Sequence, residues 1–348
     1  MKGDALSELL RAVRLRGAIF YNIEGSPPWA AETPHASEII AEIMPGSEHL
    51  IEFHGLVEGS CWVSLVGESP QQMHAGDVVL FPQGDPHVLS SAPGMRARGT
   101  GKRFFFEELN GLRPFSLDLG EDRGTARSDD SRRPRATVIC GYLGLDARPF
   151  NPLLAALPRI LIVPGGTLGA DSWVMVLMRA VVAESTGKQA GGKAVLERMS
   201  EMLFVEVLRR HIETLPETHT GWLAGMRDRT VGRALSLMHE GPSEPWTLES
   251  LSERAGLSRS SFHERFTHFI GQPPMQYLTQ WRMQVASGML RDTNAKLTEV
   301  ARSAGYDSEA AFSRAFKRVA GVSPGAWRKD RRAQPGATSI PAPALVGA

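Results

Sequence analysis

Two cysteines in 348 residues, Cys61 and Cys140, are too few and too far apart for a disulfide framework or a four-cysteine zinc site, which fits a reducing compartment. Long apolar runs are missing as well. No stretch of about eighteen uncharged apolar residues occurs, so no membrane-spanning helix is expected and no membrane partner. Asp4 and Glu8 stand where a secretory leader would carry a basic region ahead of an apolar core, so no signal peptide is expected and the protein is read as cytoplasmic. Charge of one sign is scarce too, with a formal net charge of only +1. That balance hides an asymmetry: Gly225 to Ala333 holds 17 Lys+Arg against 11 Asp+Glu, while the remainder is acidic. Local positive charge is what counterion release from a phosphate backbone requires.

What is present is length and apolar content. At 348 residues and 42% hydrophobic, the chain suits two or three domains, each with a core. Up to about Asp146 the runs HLIEFHGLVEG, SCWVSLVG, GDVVLFPQG and ATVICGYLGL are short, β-rich and punctuated by Gly and Pro, so this half reads as all-β. Within it, residues 96–135 are rich in Gly and charge, and the second half of that segment reads as a mobile loop between strands. After Pro149 the period becomes helical, in SWVMVLMRAVVAES and KAVLERMSEMLFVEVLRRHIETL. The second run lines up Val195, Leu196, Met199, Met202, Leu203, Val205, Val207 and Leu208, either as a core helix or as a dimer helix. The expected division is 1–148 (β), 149–224 (helical), 225–330 (a further helical domain) and a disordered tail over 331–348.

The C-terminal third repeats itself. Leu248, Leu251, Ala255 and Gly256 recur after forty-nine positions as Leu297, Val300, Ala304 and Gly305. Phe262, Phe266, Gly271, Pro274 and Tyr277 recur after fifty as Phe312, Phe316, Gly321, Pro324 and Trp327. One extra residue in the second turn accounts for the change of offset. Each copy, 247–269 and 297–319, has the signals of a helix-turn-helix: a short helix, a Gly suited to the left-handed conformation, then a Ser able to cap a second helix. In those second helices Phe262, Phe266 and Phe269, and likewise Phe312, Phe316 and Val319, share a core-facing side. The other side presents Arg259, Ser260, His263 and Glu264 in the first copy, and Glu309, Ala310, Ser313, Arg314 and Lys317 in the second. The run MQYLTQWRMQVASGML between the copies makes a helix of about sixteen residues, roughly 24 Å, long enough to hold two such helices near the spacing of successive major grooves.

WTLESLSERAGLSRSSFHERF, QWRMQVASGML and AGYDSEAAFSRAFKRVAGVSPGAWR together resemble the AraC/XylS family of bacterial regulators over about one hundred residues. The resemblance implies a sequence-specific, DNA-binding transcription regulator, with double-stranded DNA and RNA polymerase as partners, no enzymatic activity and no required cofactor. It further implies base contacts from Ser260, His263 and Glu264, then Ala310, Ser313 and Arg314. Arg314 is the strongest base-contact candidate, because a guanidinium can bond guanine O6 and N7 together; the alternative for it is a phosphate clamp.

The segment GDVVLFPQGDPH, Gly76 to His87, fits the second motif of the cupins, so the β half resembles the small cupin-type barrel that precedes the DNA-binding domain in many AraC-like regulators. The expected fold is therefore α+β and multidomain: an all-β cupin-like barrel followed by helices, then an all-α double helix-turn-helix domain. Such a barrel can enclose one small-molecule effector. His54, Glu58 and His87 are the candidate effector or metal residues, against the reading of His87 as a hydrogen-bonded turn residue. His49 and His54 are five apart on an alternating strand and face opposite sides unless a bulge intervenes. Cys61 and Cys140 read as small buried hydrophobes or as redox-active thiols. A cupin metalloenzyme fused to a DNA-binding module is the alternative to a dimerising regulator controlled by an effector or a redox signal sensed in the cupin-like domain.

Overall fold

The computed structural model describes residues 4–97, 115–119, 135–165, 172–187 and 189–333. Among them, in chain order, are α1 (Ala5–Ala12), β1 (Arg16–Gly25), β2 (Ala30–Thr33), α2 (Ile40–Ile43), β3 (His49–Glu58), β4 (Ser60–Leu65), β5 (Gln71–His74), β6 (Val78–Phe81), β7 (His87–Ser90), β8 (Phe115–Leu119) and β9 (Ala136–Leu145). There follow α3 (Pro152–Ala156), β10 (Leu161–Val163), α4 (Trp173–Gly187), α5 (Gly192–Thr214), α6 (Trp222–Arg227) and α7 (Arg229–Glu240). The repeated third holds α8 (Leu248–Ala255), α9 (Arg259–Ile270), α10 (Pro274–Asp292), α11 (Leu297–Ser303), α12 (Glu309–Ala320) and α13 (Pro324–Ala333).

These elements divide into two compact units that cut across the linear division read from the sequence. One comprises residues 15–145 and 157–215; the other takes 1–14, 146–156 and 216–348. The first fourteen residues leave the β unit because α1 is amphipathic: Ala5, Leu6 and Leu9 are buried on one side, and the helix packs against α7 and α10. Helices α4 and α5 stay with the β unit instead of forming a separate segment.

The β unit has two sheets, ordered β10-β6-β3-β9-β1-β8 and β2-β7-β4-β5. Its core, including Ile23, Leu50, Leu56, Val63, Val79, Phe81 and Val138, comes from strands of both sheets. Strands β3 and β9 are almost continuously buried, since they lie mid-sheet with β neighbours on both sides and helical neighbours besides. Helix α5 approaches β1 closely enough that a Cβ on Gly17 would meet Ser200 Oγ at 2.4 Å, so this crossing needs glycine. Leu196, Leu203, Phe204, Val207 and Leu208 of α5 are buried, while Val195 and Met202 stay 45% exposed, so the helix has a core face and a second apolar edge.

The loop expected within 96–135 contains strand β8, which pairs in parallel with β1 from Tyr21↔Phe115 to Gly25↔Leu119. Residues 98–114 and 120–134, where the rest of that expectation falls, lie outside the described residues, as does the tail from 334. Helix α13 runs on to Ala333, three residues into the segment read as tail.

In the helical unit the capping chemistry matches the sequence signals. Thr247 accepts from Ser250 N–H at the start of α8, Ser258 from Ser261 N–H before α9, and Ser308 from Ala311 N–H before α12. Gly256 and Gly305 take φ of +76° and +73° in the two turns, a conformation that other L residues adopt at a cost. The connecting helix α10 has 19 residues, about 28 Å, slightly longer than expected because Pro274 opens it at N1 and Arg291 and Asp292 extend its end.

Candidate functional site

Two places concentrate the chemistry. In the helical unit, Phe262 and Phe266 of α9 and Phe312 and Phe316 of α12 are fully buried, with ring centroids 5.7 and 5.6 Å apart within each pair. That anchors each helix by one face and turns the other outward. Phe266 continues to Tyr277 of α10 at 5.8 Å, and Phe316 to Trp327 of α13 at 5.7 Å, so the repeat extends to equivalent aromatic supports.

All nine residues expected on the reading faces lie outward. Arg259, Ser260, Glu264, Glu309, Ala310, Arg314 and Lys317 are exposed, and His263 and Ser313 partly so. They are not equally free. The Arg259 guanidinium donates to Glu249 of α8 at 2.6 Å, an exposed pair that is worth little and can be exchanged for another anion. Arg265 is held by the carboxylate of Asp228, the residue that also caps α7. Arg314 has no hydrogen-bond or ion-pair partner among the described residues and is available to an external acceptor.

The second place is buried in the β unit. Glu52 and His54 are two apart on β3 and share a face; His87 opens β7 after the turn that follows β6. His54 Nε2 and His87 Nε2 are 2.7 Å apart, and Glu52 Oε2 lies 3.8 Å from His87 Nε2. Their ligand atoms fall within 4.8 Å of one another, and the residues are 0–2% exposed. Phe81 stacks on His87 at 3.6 Å and fixes the ring plane.

The hydrogen bonds define the tautomers. His87 Nδ1 lies 2.9 Å from the Asp85 carbonyl, which can only accept, so Nδ1 carries the proton and Nε2 is a lone pair. His54 Nε2 then donates to His87, which leaves His54 Nδ1 to accept from the Cys140 thiol at 2.9 Å. Cys140 faces His54 because the two are register partners across β9 and β3.

Burial, followed by the neighbouring His87, holds His54 well below its ordinary range. Burial pushes His87 down to about 4, against the raising effects of the Asp85 carbonyl and carboxylate. Glu52 is pushed well above the carboxylate range by burial alone, and neither of its oxygens has a hydrogen-bond partner. Near neutrality the cluster is therefore two neutral imidazoles beside an unpartnered carboxyl. Two imidazoles and a carboxylate form a donor set for Zn2+ or a similar borderline divalent ion, so these residues fit a metal.

Glu58, the carboxylate expected in this group, is exposed and takes no part. The reason is a bulge: β3 pairs Leu56 with Val138 but Glu58 with the next residue, Thr137, so Val57 is extra and Glu58 falls on the opposite face from Glu52, His54 and Leu56. Strand alternation from His54 marks Glu52 as a face-mate, a signal that sequence reasoning missed in favour of the motif-like Glu58. His49 lies elsewhere, hydrogen-bonded to the Pro82 carbonyl at 2.7 Å. Cys61 is buried against Val63 and Leu65 in the alternating pattern of β4, and burial, then Asp77, push its thiol up to about 12, which makes it a poor nucleophile.

A family model described as Cupin matches residues 4–213, and one described as a helix-turn-helix domain matches residues 251–330. The chain is 40% identical to a putative AraC-like transcription regulator of Streptomyces antibioticus over 94% of this chain and 98% of that one. It is 30% identical to another from Streptomyces lividans, with the same two coverages. The RCS-specific HTH-type transcriptional activator RclR of Escherichia coli is similar at 26% identity, over 94% of this chain and 97% of that protein.

Proposed function

This chain belongs to the AraC-like transcription regulators, DNA-binding proteins with an N-terminal cupin domain, and we propose that its β unit governs DNA binding through a divalent transition-metal ion held by Glu52, His54 and His87. The observation that carries the proposal is Glu52: a carboxyl with both oxygens buried and without a hydrogen-bond partner, beside two imidazole nitrogens, costs stability that a bound cation would offset. An ion there would supply the positive charge that Glu52 lacks. His87 is oriented by the Asp85 carbonyl, and ligation through His54 Nε2 would move the His54 proton to Nδ1, where the Cys140 sulfur at 2.9 Å would accept it, the outer contacts that set ligand direction in metal sites. The two helix-turn-helix units read the DNA through the outward residues of α9 and α12, with Arg314 as the principal base or phosphate contact.

A second reading of the same site rests on Cys140, whose contact with His54 couples a thiol to the cluster. Here oxidation of Cys140, instead of metal, is the signal. Dimerisation is proposed through the exposed apolar residues Trp173, Val176, Val195 and Met202 of α4 and α5, two helices that pack on each other.

The test uses the full chain and DNA from its own promoter region at fixed salt. One equivalent of Zn2+ or Co2+ by elemental analysis, a changed gel-shift affinity on loading, and loss of both in Glu52→Gln are expected. No stoichiometric metal and none acquired on incubation would remove the metal reading. An oxidant response lost in Cys140→Ser, with reduced binding intact, would put the thiol in its place.

A further inference from the structure

Within the helical unit, the connecting helix α10 carries two buried polar side chains, in line with the core residue Tyr277, that neither the DNA-reading faces nor the hydrophobic core explains. Tyr277, Gln284 and Arg291 follow one another at steps of seven, nearly two whole turns each, and so share one side of the helix. All three are buried, at 0%, 0% and 8% exposure. Each grips a segment of chain that adjoins a β-unit strand in sequence.

Those segments are Ala12–Arg14, just before β1, and Asp146–Asn151, just after β9. Gln284 spans both: its Nε2 donates to the Ala12 carbonyl at 3.2 Å, and its Oε1 accepts from Phe150 N–H at 3.0 Å. Arg291 Nη1 donates to Asp146 Oδ2 at 2.5 Å, and its other nitrogens bond Asp292 at 2.7 and 2.9 Å. Arg14 forks onto the same Asp146 carboxylate at 2.7 and 3.0 Å, from a backbone with φ of +52°. Asp146 N–H closes the set by donating to the Val13 carbonyl at 2.8 Å. The Phe150 ring meets Tyr277 edge-on at 5.4 Å.

In this group Asp146 and Arg291 are buried and Arg14 is partly exposed, at 27%. A buried pair such as Asp146–Arg291 adds little stability, because desolvation consumes most of the attraction, but breaking it by removing one partner is costly, so it favours one arrangement over partly opened ones. Its placement gives that property a use. Strand β9 carries Cys140 and ends at Leu145, so Asp146 follows it with no intervening linker. Arg291 is the penultimate residue of α10, at the end from which α11 and α12 hang, while α9 precedes the other end.

We propose that Gln284 and Arg291 clamp the two helical-unit segments that lead into β1 and out of β9 to the connecting helix, so that a shift of β9 is passed along the chain to the helix that carries both recognition helices. The proposal goes beyond the metal reading and rests only on the β unit influencing DNA binding. Because coupling between two sites is reciprocal, DNA itself serves as the ligand that reveals it.

The experiment is amide hydrogen exchange on the full chain with and without DNA from its own promoter region. In the wild type, DNA changes exchange in β9 and in residues 146–151. In Arg291→Met, and in Gln284→Met, which leaves the buried charges paired, the protein still binds DNA and the β9 response is lost. A wild-type β9 indifferent to DNA overturns the proposal without any variant, and so does an unaltered β9 response in folded Gln284→Met. A chain that takes up no metal yet shows the DNA-dependent change keeps the clamp and loses the metal reading, so the two failures are separate.

Discussion

Replacing Glu52 with methionine should make the metal-free protein more stable, although it removes a charged side chain from the candidate site. The side chain is 1% exposed with both oxygens unpartnered, a situation that costs about 1–3 kcal/mol. Methionine has similar length and no polar atom, and repacking a volume-conserving substitution costs under about 1.5 kcal/mol, so a net gain of ~1–2 kcal/mol is expected. For a unit of this size that corresponds to about 2–8 °C in Tm. The size of the gain depends on pH. Burial raises the Glu52 pKa above its ordinary 4.5, so below that value the carboxyl is protonated in both folded and unfolded chains. As pH rises the unfolded chain ionises first, and the wild type loses stability on the way to the raised folded pKa. The advantage of Glu52→Met therefore widens between pH 5 and pH 7.5. Urea denaturation in chelator at both values measures it. Metal reverses the order: at a hundredfold excess over Kd the wild type gains about 2.7 kcal/mol and the variant nothing. A variant less stable than wild type in chelator at pH 7.5, with no widening from pH 5, would refute the account of Glu52 as an unpaid buried carboxyl.

Arg314→Ala should weaken binding to the chain's promoter DNA. A guanine contact predicts a loss of about 1–3 kcal/mol with relaxed base preference, a phosphate clamp a salt slope smaller by about one, and unchanged gel shifts across a salt series remove Arg314 from the interface. His239 is held at about 3 by burial, against a raising contact from the Ala5 backbone, and stacks on Trp281 at 3.8 Å. A folded pKa below the unfolded 6.5 means stability is retained above that value and lost as pH falls, roughly 3 kcal/mol by pH 4, so His239→Gln should flatten the decline seen in acid denaturation. Val195→Asp with Met202→Asp should convert a dimer into a monomer in sedimentation; a monomeric wild type would end the dimer proposal.

Much of this was legible in the residues because it is local. The helix-turn-helix units announce themselves through spacing: phenylalanines at steps of four, a glycine for each left-handed turn and a serine for each cap, and those are the contacts found. The cupin turn was equally readable from Gly76 to His87, as was the buried alternation of Cys61, Val63 and Leu65. What failed depended on tertiary register. Glu58 has the right distance from His54 in sequence, but one extra residue in β3 turns it outward, and no local signal at Val57 reveals a bulge that exists only against β9. Strand β8 was hidden for a similar reason: a parallel pairing with β1 across some ninety residues leaves no hairpin signal. The assignment of α1 and of 146–156 to the helical unit rests on side chains such as Gln284 and Arg291, which look like ordinary polar positions of a helix until their partners are known.

Footprinting of the full chain on its own promoter DNA tests the central claim most directly. Two helix-turn-helix units on one connecting helix predict two protected major-groove segments per chain, about one helical turn or ~10 bp apart, with Arg314→Ala thinning one of them. Protection of a single segment, or none that depends on sequence at any salt concentration, would contradict it.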